Sequence, residues 1–298
     1  MTDWIGIALR FGVYADLLLL FGLAAYPLYA ASPRGPRRAR ATIVGLAALG
    51  LLLSALSFLQ MVAAMSGVTI ADLDRDTFDF VLFDTTPGFA FLARTAALAS
   101  VLITALIPSE RIRPLAALVA GVALGTLAWT GHAAVTEGAA GTLHRLADML
   151  HLLAAGAWLG ALAVLITLLF ARFDDEQSVA SARSALTGFA VAGSIIVALI
   201  VVTGFINVWM IVGVEGALRL PTTLYGKLLI AKLALFVAML GLAVANRWHL
   251  TPRLAWADDN DVGVVRALRV SIVLESGAAV LILALVAWLG TLSPEPMI

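Results

Sequence analysis

Long apolar stretches separated by short polar links set the plan of this chain. A membrane span needs about 20 mainly apolar residues, and eight stretches qualify: 4–30, 42–66, 88–107, 114–134, 145–170, 185–212, 222–247 and 268–292. None alternates with period two, so a β-barrel is not expected. The pattern predicts an all-α fold, a polytopic membrane helical bundle of eight transmembrane helices. No link is long enough for a soluble domain. The longest, 67–87, has Phe78, Phe80 and Phe83 among acids and reads as a short interfacial segment. Residues 1–298 are therefore expected to form one bundle.

The polar links give the bundle a direction. The segment SPRGPRRAR carries four arginines and no acid, and the third, fifth and seventh links also carry arginine. The second link instead holds Asp72, Asp74, Asp76, Asp79 and Asp84 against Arg75. Basic links stay on the cytoplasmic side, so both termini and the even links are expected to be extracytoplasmic. Asp3 stands where a signal peptide would be basic, so the first stretch is expected to remain as a span.

Composition agrees. Of 298 residues, 62% are hydrophobic and 13% charged, against about 25% charged in soluble domains. The net charge is zero, which gives no basic surface for nucleic acid. Cysteine is absent, which excludes disulfides, thiolate metal sites and iron–sulfur clusters. No nucleophile–base pair or phosphate loop stands out, so the chain is not expected to be an enzyme. Lipid is its expected surroundings.

Against this background the polar residues inside spans stand out, because a charge at mid-bilayer costs several kcal/mol on insertion scales. They are Arg10, Asp16, Arg94, Asp148, Lys227, Lys232 and Glu275, with Asn207 as a neutral addition. Counting along each span places Arg10, Arg94, Asp148 and Lys227 within roughly 10 Å of the outer surface, and Asp16, Lys232 and Glu275 roughly 15–20 Å down. Together they suggest a polar track. Lys232 is expected to meet Glu275 or Asp16.

Three of the four histidines fall within 130–160. His144, Asp148 and His151 are spaced i, i+4, i+7 and share one helix face. His132 ends the preceding apolar run, so His132 and His151 are expected to come close, with Asp148 nearby. Imidazole is the commonest metal ligand, and thioether suits Cu(I). The candidate metal ligands are therefore His132, His144, His151 and Asp148, with Met61 and Met65 at i, i+4 on the second span. Two histidines from different helices could also ligate haem b, with Arg10 or Arg94 on its propionates. A membrane scaffold for a separate extracytoplasmic metal-binding protein is a third reading.

The segments HLLAAGAWLGAL (151–162), TGFINVWM (203–210), TTLYGKLLIAKLALFVAMLGLAVANRWHLTPRL (222–254) and LRVSIVLESGAAVLILALVAWLGTL (268–292) resemble the bacterial copper resistance D membrane proteins, CopD and PcoD. The resemblance is strongest over 127–292 and rests on span count over the first three spans. It implies a multi-pass protein of the bacterial inner membrane, associated with copper uptake and tolerance. Copper ion would be its cargo, and a separate periplasmic CopC-like copper-binding protein its partner. It supports His132 and His151 as outer-side metal candidates. A Met-rich extramembrane loop is absent from these residues.

Overall fold

The computed structural model describes residues 3–30, 36–107, 109–131, 138–170, 176–218, 220–256 and 262–292. Among them the structure is helical, with no strand. The helices are α1 (Trp4–Tyr29), α2 (Pro36–Ser66), α3 (Arg75–Asp84), α4 (Thr86–Leu106), α5 (Arg113–Gly125), α6 (Gly138–Leu169), α7 (Glu176–Ala217), α8 (Leu224–Ala245), α9 (Thr251–Trp256) and α10 (Val262–Leu289). Seven are long and apolar enough to cross a membrane. An eighth apolar unit, Arg113–Trp129, is shorter: α5 tightens into a 3-10 turn over Thr126–Trp129. The molecule is a polytopic membrane helical bundle.

Helix starts follow local chemistry. First-turn N–H groups have no partner within the helix, and in lipid an unmet one is costly. Asp3 accepts from the Gly6 amide at 2.9 Å, Thr85 from Gly88 at 3.2 Å and Thr223 from Gly226 at 3.0 Å. The acidic 67–87 link contains α3, capped by Asp74 on Thr77 at 2.8 Å. The bonded carboxylate of Asp74 lies below its usual pKa, chiefly because the Thr77 amide donates to it. Phe80 and Phe83 are exposed on α3, as an interfacial helix requires.

The helix carrying three polar candidates is also the hub. In α6, 61% of the most apolar window is buried, against 11–39% in the other six long helices. It packs on α1, α7, α10 and α5. The α1 contact rests on Gly156 and Gly160, spaced G-x-x-x-G. A Cβ on Gly22 of α1 would lie 2.1 Å from the Gly156 carbonyl oxygen, and one on Gly160 would lie 2.2 Å from the Gly22 carbonyl carbon. Backbone therefore touches backbone, as small residues permit in lipid. α2 packs against α1 and α4. Long α7 breaks at Gly213, whose φ of 63° lies in the left-handed region.

The chain's two described ends meet. Arg10 Nη1 donates to the Gly290 carbonyl at 2.6 Å, and the Trp4 and Trp288 rings lie 5.8 Å apart. Leu52, Leu118, Val191, Phe205 and Val237 are exposed on the outer faces, as lipid contact requires.

Candidate functional site

α6 and α7 run antiparallel and match polar residue to polar residue. Asn207 Nδ2 donates to Asp148 Oδ1 at 3.1 Å, and His151 Nδ1 meets Thr203 Oγ1 at 3.1 Å. Thr203 also donates to the Leu199 carbonyl at 2.5 Å. A hydroxyl has one proton and a carbonyl can only accept. Thr203 therefore accepts from His151, Nδ1 carries the imidazole proton, and the Nε2 lone pair is available. The ring lies against Gly204, where an added Cβ would come within 3.2 Å of His151 Cε1.

Lys232 of α8 lies within electrostatic reach of this group. Its charge acts on both Asp148 and His151. On the other flank, Tyr14 of α1 is within electrostatic reach of Asp148, Arg10 and Arg94. Tyr14 lies one turn after Arg10, a spacing that places both on one helix face. Sequence reasoning missed it because a tyrosine in a span ordinarily reads as an interface anchor.

A second polar region sits between α1, α2 and α4. A cavity of about 250 Å³ is lined by Arg10, Tyr14, Ser54, Met61 and Arg94, with Asp3 and Gln60 at its rim. Arg10 Nη2 donates to Thr130 at 3.2 Å. Arg94 Nε donates to Thr126 Oγ1 at 2.8 Å, while its Nη2 is buried without a partner. Ser54 Oγ is likewise buried and unbonded.

A third region lies far along α8. Buried Glu275 accepts from Asn246, the first residue of a π-helical turn, Asn246–Leu250. The pair lines a cavity of about 230 Å³ with Trp158, Ser194, Arg247 and Thr251. Such π turns are concentrated at functional sites. The signal for Asn246 was a polar residue closing an apolar span.

Several expectations are corrected. Lys232 does not meet Glu275 or Asp16: among the described residues it has no carboxylate at ion-pair distance, and its charge acts on Asp148. Asn246, the partner of Glu275, lies about four turns along α8 from Lys232, or roughly 21 Å. Asp16 is buried with neither oxygen bonded. Lys227 is exposed on the first turn of α8, outside the polar track. Met61 and Met65 do not join His151: Met61 lines the cavity beside α1, and Met65 is 64% exposed. The cause is that α2 packs on α1 and α4. His144 lies within α6, the helix it shares with Asp148 and His151, and is 2% exposed. His132 lies outside the described residues, so its approach to His151 does too. Among the described residues no three His, Asp or Glu side chains form a metal-ligating cluster.

The fold and these buried polar groups define a class: a polytopic membrane bundle with ionisable side chains enclosed at several depths. Residues 1–142 match the family described as "Copper resistance protein D-like, N-terminal domain", and residues 183–289 match "Copper resistance protein D". "Copper resistance protein D" of Pseudomonas syringae pv. tomato is 41% identical over 99% of this chain and 98% of its own. "Inner membrane protein YebZ" of Escherichia coli (strain K12) is 29% identical over 87% of this chain and 89% of its own. No solved structure matches. The chain belongs to the copper resistance protein D family. That membership places it among membrane proteins of copper resistance.

Proposed function

We propose that this chain moves copper across the bacterial inner membrane from the extracytoplasmic side. The location follows the printed name of the Escherichia coli relative and the arginine-rich odd links. Both termini then face outward, and a separate CopC-like protein delivers the ion. The observation that carries the reading is the His151 group. Its Nε2 lone pair is left available by the Thr203 bond, in a bundle interior beside the Asp148 carboxylate.

Lys232 explains how the site rests when empty. Its ammonium balances Asp148, which lowers the cost of a carboxylate in lipid. An arriving copper ion replaces that charge, with His151 as nitrogen ligand and Asp148 as oxygen ligand. Deeper along the bundle, Glu275 and Asn246 offer the next oxygen donors.

The test is cellular copper content under copper challenge in strains carrying wild type, His151→Gln or Asp148→Asn at matched expression. The wild type should raise copper content, and each variant should lose the gain. Equal copper content in cells with and without the chain overturns transport. The purified protein's visible spectrum is the companion check, since a Soret band would assign His151 to haem instead.

A further inference from the structure

The cavity between α1, α2 and α4 has a lining that a copper path does not use. Two guanidinium groups, Arg10 and Arg94, face it. Among the described residues neither has a carboxylate at ion-pair distance. Arg10 is spread over two backbone carbonyls, Gly290 and Thr130. Arg94 is 5% exposed and uses Nε on Thr126, while Nη2 donates to nothing. Ser54, 1% exposed, adds an unbonded hydroxyl.

An unpaired buried cation is costly, and buried donors without acceptors are rare in native proteins. Fixed positive charge would also repel a metal cation. The deficiency centres on Arg94, which has neither an acceptor for Nη2 nor a counter-charge: Ser54 Oγ has no partner of either kind, and Asp16, whose two oxygens are also unbonded, lies against Gly50 and does not line the cavity. Asp3 supplies neither, because it is exposed at the rim and already accepts from the Gly6 amide and from Gln60 at 3.5 Å. We infer that this cavity is an anion site, in which Arg94 Nη2 and Ser54 Oγ bind a small oxyanion under the field of Arg10. Guanidinium donors match carboxylate and phosphate oxygens in geometry and charge. A cavity of about 250 Å³ holds a phosphate or a short carboxylate. The same chemistry comes from a free anion or from the phosphate of an anionic lipid. The site is independent of copper: it involves neither His151 nor Asp148.

The experiment uses the full chain purified in detergent. Inorganic phosphate and acetate are titrated with Tm and heat of binding as readouts. In parallel, nanodiscs of phosphatidylcholine with and without phosphatidylglycerol are examined by native mass spectrometry for retained lipid. Saturable phosphate or acetate binding assigns a free anion; retained phosphatidylglycerol that phosphate displaces assigns the lipid. In either arm Arg94→Lys, which keeps charge but removes the second donor arm, should weaken binding roughly tenfold. Ser54→Ala should weaken it severalfold, and it carries the test if Arg94→Lys fails to fold. Arg40→Gln, an exposed arginine on α2, should change nothing. No response to either anion together with no retained phosphatidylglycerol overturns the site. Binding unchanged in both Arg94→Lys and Ser54→Ala overturns it equally.

Discussion

The α6–α7–α8 group and the α1–α2–α4 cavity are both buried and polar, yet they are completed differently. In the first, donors are matched to acceptors, Asn207 to Asp148, His151 to Thr203 and Thr203 to Leu199, and the one buried atom left over, Asn207 Oδ1, is an acceptor. Positive Lys232 lies within reach of negative Asp148. In the second, cations and donors stand without acceptors, at Arg94 and Ser54. Bonds made within the chain hold a ligand atom in a fixed orientation, here Nε2 of His151. A buried cation with an unused donor arm, here Arg94, marks where a molecule from outside the chain supplies the missing charge. Tyr14 lies between the two, within reach of Arg10, Arg94 and Asp148.

The largest effect should come from parting the two regions. α1 carries Arg10 and Tyr14, α6 carries Asp148 and His151, and Gly22 meets Gly160 where the helices cross. Gly160→Leu places a side chain where backbone stands 2.2 Å away, at a cost of about 3 kcal/mol or more. Thermal unfolding in detergent should show a large fall in Tm, and copper and anion binding should be lost together.

Smaller, and confined to the first region, is the charge balance. Asp148→Asn leaves Lys232 without its nearby negative charge, so stability should fall; Asp148→Asn/Lys232→Met should recover part of it. A coupling of about 1–2 kcal/mol is expected for members of one network. A coupling of zero in denaturant titration would separate Lys232 from Asp148. Anion binding at Arg94 should stay within error throughout the cycle.

Smaller still is Gly204→Ala. The added methyl comes within 3.2 Å of the His151 ring, so the ring must give by a few tenths of an ångström, at about 1 kcal/mol. Copper affinity should drop while Tm barely moves. The smallest effect lies outside both regions, at Asp74. Its carboxylate pKa is lowered by the Thr77 amide, so its contribution to α3 is complete above the usual value of about 3.9 and is lost as pH falls through the lower folded value. Amide protection in the first turn of α3 should therefore survive mild acid and disappear below it. Asp74→Asn should remove that pH dependence.

Much of the first region was legible because a helix converts spacing into direction. The i, i+4, i+7 pattern places His144, Asp148 and His151 on one helix. Partners across helices were less legible. Counting from apolar edges separates Asp148 from Lys232, whereas along the helices Asp148 lies about 15 Å from the start of α6 at Gly138. Lys232 lies a similar distance, about 12 Å, from the start of α8 at Leu224. Hydropathy reports which residues enter the membrane, not how neighbouring helices are rotated. That is why Lys232 was assigned to Glu275, and why Met61 and Met65 were grouped with histidines that α2 does not reach. Arg94 and Ser54 carried a weaker signal still, since an orphaned donor is visible only once its surroundings are known.

The central claim is that copper crosses through the His151 group. Purified wild type and His151→Gln should be reconstituted into liposomes at equal density, and copper entry followed over time by metal analysis. The account predicts time-dependent, saturable entry with the wild type. It predicts a loss of roughly tenfold or more with His151→Gln, at a Tm and anion affinity matching the wild type. Entry at the wild-type rate through His151→Gln, or none above empty liposomes with either protein, would contradict it.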